Sequence, residues 1–270
     1  MNARYFIRPL VLALVLSLGG AAAFAQGTQA PNTTFEPQVG QPGKDVVWVP
    51  TPQELVDLML NMAKVTPQDV LYDLGSGDGR TVITAAKRGT RAFGIEYNQD
   101  MVDLAKRNAT TAKVDNLATF RKADLFETDF SDATVVTMFL LPSINMKLRP
   151  TILDMKPGTR VVSNSFHMEE WMPDDTQRVD GCTSWCTALF WIVPAKVAGT
   201  WRMPQGPMNV TQDFQVISGR LGAAPITGKL RGADISFNIG TTIYNGRVDG
   251  NVMKGTTSTG QPWQAEKVVQ

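Results

Sequence analysis

Val70-Leu71-Tyr72-Asp73-Leu74-Gly75-Ser76-Gly77-Asp78-Gly79-Arg80 decides the fold of this chain. A short apolar run reads as a buried strand and ends on an acid. Three glycines follow, then a helix-like segment from Thr81 to Arg88. Glycine lacks a Cβ and tolerates positive φ, so a ligand can approach such a backbone closely. The helix start behind the loop offers free N–H groups. This arrangement suits a nucleotide-like ligand at the carboxyl end of a parallel strand. The spacing is G-x-G-x-G, where a dinucleotide fingerprint needs G-x-G-x-x-G. No G-K-[ST] follows, which excludes a P-loop. The bland alternative is a plain strand-to-helix turn.

The next segments argue for the ligand. Arg91 to Glu96 reads as a second strand closing on an acid, about 20 residues past the glycines, where a βαβ unit places the carboxylate for a ribose diol. A helix is expected from Asn98 to Thr111, with Asn98 as its N-cap. Ala118 to Lys122 reads as a third strand, followed by Asp124-Leu125-Phe126. Three acids thus close three successive strands beside the glycine loop. The D-L-G-x-G-x-G pattern with these acids resembles class I S-adenosylmethionine (SAM) dependent methyltransferases. Val49-Pro50-Thr51-Pro52 and Phe139-Leu140-Leu141-Pro142 add a narrower likeness. They resemble the lysine methyltransferase group that includes the mitochondrial enzymes acting on the ATP synthase c-ring protein, over about Val46 to Pro194. The resemblance implies SAM as cofactor, held by Asp73, Gly75, Ser76, Gly77, Glu96, Asp124 and Leu125. It implies Thr51 near the methionine end, and Leu141 and Pro142 near the acceptor. It names no catalytic base.

Around this centre the chain reads as a seven-stranded Rossmann-like sheet with helical crossovers, an α/β fold. A helix is expected from Gln53 to Ala63, entered through a Thr51-Pro52 cap. Further strands are Ala133 to Leu141, Thr159 to Asn164, Gln177 to Val179 and Thr187 to Val193. Ser143 is the expected cap of a helix from Ile144 to Met155, with a kink or break at Pro150. After Pro194 the composition shifts to short alternating runs divided by Gly, Asn and Asp. Asp213–Ser218, Ile226–Leu230, Asp234–Asn238, Thr241–Arg247, Asn251–Thr256 and Gln261–Lys267 suggest a small antiparallel meander or open barrel, with Asp249-Gly250 as a type I′ turn. Cys182 and Cys186, four apart, are placed to close a small disulfide where oxidation is permitted.

Arg4 and Arg8 precede an apolar stretch from Pro9 to Ala23, and Ala23-Phe24-Ala25 fits a cleavage site. This reads as a secretory signal peptide over residues 1–25, cleaved after Ala25, which implies export, to a periplasm in a bacterium; an uncleaved membrane anchor is the alternative. Residues 26–45 read as a flexible linker. Residues 46–195 and 196–270 are the expected methyltransferase and β domains. Membrane contact is expected only through the signal segment. Net charge is +1 over 270 residues, so no strong field invites nucleic acid. The single histidine, His167, excludes a His-rich metal site. The expected activity is methyl transfer to a protein lysine amine; a small-molecule acceptor or a non-catalytic nucleoside binder are the alternatives.

Overall fold

The structure, a computed structural model, describes residues 1–2 and 35–269. The signal segment, its cleavage site and linker residues 26–34 lie outside the described residues. No described helix is long and apolar enough to cross a membrane.

Seven strands form the first layer: β1 (Val70–Leu74), β2 (Arg91–Glu96), β3 (Ala118–Lys122), β4 (Val135–Met138), β5 (Arg160–Asn164), β6 (Asp175–Arg178) and β7 (Thr187–Ile192). Their order is β3-β2-β1-β4-β5-β7-β6. The first five run parallel. β7 runs antiparallel to β5 and to β6. The chain reverses its direction of travel between β1 and β4, which is where open α/β sheets bind ligands.

Helices cover both faces. They are α1 (Gln53–Met62), α2 (Arg80–Lys87), α3 (Gln99–Thr111) and α4 (Pro142–Leu153). Alternate residues of a strand point to opposite faces. Leu71 therefore joins a core with Leu55, Val56, Val82 and Val102. Tyr72 and Leu74 join another with Ile144, Leu148 and Trp191. Burial on both faces explains why β1 and β4 read as continuous apolar runs. Asn98 caps α3 as expected, its side chain accepting from the N–H groups of Asp100 and Met101.

Three local expectations fail. Ser143 is not a cap, because Pro142 itself opens α4; its missing N–H is one that a first turn leaves unpaired anyway. Pro150 does not break α4, which runs through it to Leu153. Thr51 does not cap α1; its hydroxyl instead accepts from Asn164 Nδ2 at 3.2 Å. Residues 35–45, read as linker, form turns rather than free chain. Gly40 N–H donates to Trp48 O at 2.8 Å, and Trp48 N–H to Gln41 O at 2.9 Å.

The second region is an eight-stranded antiparallel barrel, closed rather than open. Its strands are β8 (Gly199–Met203), β9 (Gly206–Asp213), β10 (Val216–Leu221), β11 (Ala224–Arg231), β12 (Asp234–Ile239), β13 (Thr242–Asp249), β14 (Val252–Thr257) and β15 (Pro262–Lys267). β8 and most of β9 were not legible, because Pro204, Gly206 and Pro207 punctuate them. Side chains fill the interior, led by Trp201, Phe237, Met253 and Trp263. The run Asp213–Ser218 is not one strand: Asp213 ends β9 and pairs with Val216, so Phe214 and Gln215 form a hairpin turn and Val216 to Ser218 open β10. Phe214 leaves the strand at φ +52° and stacks on Trp171, ring centroids 6.1 Å apart. Buried Gln215 donates to Met172 O at 2.8 Å. Packing against the sheet overrides strand propensity here. The turn at the β13–β14 hairpin lies on Gly250-Asn251; only Gly250 has positive φ, so it is not type I′. Sheet and barrel pack as one compact unit.

Candidate functional site

A cavity opens at the carboxyl ends of β1, β2 and β4, where open α/β sheets bind their ligands. Gly75 and Gly77 line it, and Gly79 closes the same loop behind them, with φ of +78°, +53° and +83°. A Cβ at Gly77 would stand 2.6 Å from Trp48 Nε1, and one at Gly79 would stand 2.7 Å from the Phe120 ring. Only glycine permits this close passage.

Glu96 closes β2. Its Oε2 accepts from Gly77 N–H at 3.0 Å and its Oε1 from Asn98 N–H at 2.9 Å. Each oxygen keeps a free lone pair beside the cavity. Asp124 follows β3. Its Oδ1 accepts from Phe126 N–H at 2.9 Å, and its Oδ2 meets Lys44 Nζ. The Lys44 ammonium, then the Phe126 N–H, hold the Asp124 carboxyl below the usual carboxylate range. Lys44 also lies 4.8 Å from the Tyr97 ring centroid.

Asp73 closes β1 and is buried. Thr137 Oγ1 donates to its Oδ1 at 2.7 Å. Burial nevertheless dominates, and with the nearby Asp78 and Glu96 carboxylates it pushes the Asp73 carboxyl up to about 7. Arg80 grips Asp78 through Nε at 3.0 Å and reaches Thr51 O through Nη1 at 2.9 Å. The entry to α1 is thereby pinned to the glycine loop.

Thr51, Asp73, Gly75, Ser76, Gly77, Glu96, Asp124 and Leu125 all line this cavity. Leu141 and Pro142 do not. Phe139, Leu140 and Ile144 form that wall instead, while Leu141 precedes α4 and is 42% exposed. The shift is one of register: β4 ends at Met138, so the first residues past the strand face the cavity. Missed altogether was the stretch from Gln41 to Trp48, which forms the cavity's remaining side. Its one sequence signal was Trp48, a large aromatic beside Val49-Pro50-Thr51-Pro52.

The donor set suits SAM. Glu96 offers a carboxylate for a diol, Asp124 an acceptor, Ile95, Met101 and Leu125 an apolar slot, and Asp73 a carboxylate for a cationic end.

Residues 73–175 match the family model described as the ANTKMT methyltransferase domain. A protein-lysine N-methyltransferase from Saccharolobus islandicus is 45% identical over 138 residues, 50% of this chain and 86% of that protein. The adenine nucleotide translocase lysine N-methyltransferase of Mus musculus is 34% identical over 120 residues, 44% of this chain and 52% of its own length. The chain thus spans about half of that mammalian relative. A solved structure from Salinibacter ruber, described as an RNA methyltransferase in complex with S-adenosyl-L-homocysteine, shares 50% identity. The match covers 55% of this chain and 96% of that one, with a TM-score of 0.52. Glycine loop, strand-end carboxylates and these relatives agree: the chain belongs to the class I SAM-dependent methyltransferases, in the group of the protein-lysine N-methyltransferases.

Proposed function

We propose that the protein transfers the methyl group of SAM to the side-chain amine of a protein lysine. The carrying observation is the wall of Phe139, Leu140 and Ile144, which adjoins the cofactor residues in one cavity. The lysine methyltransferases among the relatives support the same acceptor. Bound SAM supplies a methyl group already activated by its sulfonium. The protein must align the amine, exclude water and obtain the amine without its proton. Apolar Phe139, Leu140 and Ile144 disfavour an ammonium near them, which lowers its pKa and favours the nucleophilic form. No base is assigned to this step.

An RNA acceptor is the second reading, raised by the description of the Salinibacter ruber structure. A net charge of +1 gives it no support, since RNA binding draws on neutralised phosphates. A small-molecule acceptor is a third. Incubation of the mature protein with tritiated SAM and cell extract separates them. Label is expected in protein, surviving hydrolysis as methylated lysine; label confined to RNA or to small molecules overturns the reading.

Export with cleavage after Ala25 is part of the proposal. The n-region, apolar stretch and Ala23-Phe24-Ala25 support it, and the Cys182–Cys186 disulfide fits an oxidising compartment. Mass spectrometry of the native protein is expected to find Gln26 as the first residue. An intact Met1 on cytosolic protein overturns it.

A further inference from the structure

We propose that Trp185, with Phe139 and Phe166, forms an aromatic wall that receives the acceptor side chain, and that the Cys182–Cys186 disulfide braces it. The idea rests on the lysine reading above. The three rings come from three separate loops. Phe139 follows β4 and Phe166 follows β5, while Trp185 precedes β7. Because β7 runs antiparallel, its start lies at the same sheet edge as the ends of β4 and β5; Asn164 pairs with Ala188. The ring centroids stand 5.9 Å apart for Phe139–Phe166, 5.6 Å for Phe139–Trp185 and 5.3 Å for Phe166–Trp185. None of the three belongs to either core of the sheet. Phe139 also lines the cofactor cavity, which makes the wall continuous with the place of transfer.

The backbone under these rings is unusually constrained. Ser165 has φ +59°, and Phe166 N–H donates to Asn164 O at 2.7 Å. Phe166 O accepts from Ser163 Oγ at 2.8 Å and Asn145 Nδ2 at 3.2 Å. Trp185 has φ +55°, in the left-handed region that a bulky residue rarely adopts. It is held there inside the loop that the disulfide closes. Cys186 is buried, and its carbonyl accepts from Val179 N–H at 3.0 Å. Trp185 nevertheless remains 41% exposed. A braced indole that is kept out of the core points to a ligand rather than to packing. Its chemistry fits a lysine: the apolar stem lies along the rings, and the exposed Trp185 indole, outside the cavity lining, receives the incoming ammonium before the Phe139, Leu140 and Ile144 wall disfavours the charged form.

The test titrates the whole chain, saturated with S-adenosylhomocysteine, and follows the Trp185 indole N–H resonance by NMR. Trp185→Phe assigns that resonance. The probes are acetyl-Gly-Lys-Gly-amide and its norleucine counterpart, at millimolar concentration. A larger shift with the lysine probe is expected. Equal shifts support the wall but overturn the lysine reading, so the two ideas fail separately. No shift with either probe overturns the wall. Trp185→Ala is expected to weaken the lysine probe about tenfold, with S-adenosylhomocysteine affinity unchanged and Trp185→Phe restoring part of the loss. Equal loss of both affinities assigns Trp185 a structural role and overturns the proposal. Reduction by a dithiol breaks the S–S bond: two electrons and two protons pass to the sulfurs, and the reductant closes to its own cyclic disulfide. Weaker probe binding at unchanged S-adenosylhomocysteine affinity is expected; unchanged probe binding overturns the brace.

Discussion

At the carboxyl edge of β1, β2 and β3 the working groups are carboxylates, and those at the ends of β2 and β3 accept from backbone N–H groups. At the edge of β4, β5 and β7 they are aromatic rings from three distant loops. Glu96 is fixed by Gly77 and Asn98, and Asp124 by Phe126 two residues on. Phe139, Phe166 and Trp185 meet only because the fold brings their three loops together, with the Cys182–Cys186 disulfide closing the loop that carries Trp185. The first edge is set by local sequence, the second by topology. The difference can be broken or sharpened by substitution.

The largest expected effect is at the glycine loop. Gly79 has φ +83°, and an added Cβ would meet the Phe120 ring at 2.7 Å and Ala105 Cβ at 2.9 Å. Strain and overpacking each cost about 1–3 kcal/mol. Gly79→Ala is therefore expected to lower stability by about 3 kcal/mol or more, read from the urea midpoint. An unchanged midpoint would show that this edge tolerates repacking and is not fixed by its backbone.

Asp73 comes next. Its carboxyl stands at about 7 against an ordinary 3.8. At 1.36 kcal/mol per pH unit this gap amounts to about 4 kcal/mol, an upper figure. A raised folded value means that the contribution is fully present below 3.8 and is lost as pH rises towards 7. The ligand-free protein should thus lose stability across that window, and Asp73→Asn should remove the loss and melt higher at pH 8. SAM affinity should rise with pH through about 7 in the wild type, as Asp73 ionises towards the cationic methionyl end, and should be flat in the variant. Parallel pH curves for both proteins would discard this account.

Glu96→Ala removes a charged acceptor and is expected to cost about 2–3 kcal/mol of binding. That is roughly a thirty- to hundredfold weaker dissociation constant by calorimetry. A loss below fivefold would mean that the diol is not held at Glu96.

The same contrast explains what the sequence disclosed. Asp73, Glu96 and Asp124 were legible because each acid closes or follows a strand-like run and local spacing carries the signal. The central strands β1, β4, β5 and β7 were legible because burial on both faces leaves nearly continuous apolar runs. Trp185 was not, since nothing near Cys182 or Cys186 says that an antiparallel β7 will return it to the edge of β4. Phe214 was lost for a similar reason: it reads as a strand residue, yet it packs on Trp171 from a turn. Closure of the barrel was invisible because the pairing of β15 with β8 joins residues at opposite ends of the domain. The stretch from Gln41 to Asp45 misled by composition, since Pro and Gly serve its tight turn as well as they serve a free linker.

The smallest expected effect lies where that stretch meets the cofactor edge. Lys44 reaches Asp124 from a turn in which Gly43 N–H donates to Val46 O at 2.9 Å. Both partners face solvent in part, so the pair holds the turn weakly and salt screens it. Lys44 nonetheless occupies one of the two Asp124 oxygens that the fold presents to the cavity. If the cofactor needs that oxygen, Lys44 must yield on binding. Lys44→Ala is then expected to tighten SAM, within a factor of about five. The gap from wild type should close as salt is raised, because screening does to the ion pair what the substitution does. A weaker affinity in Lys44→Ala would make Lys44 a partner of the bound cofactor, and a salt-independent gap would place its effect in packing. Either result would extend the topology-built part of the site to the cofactor edge itself.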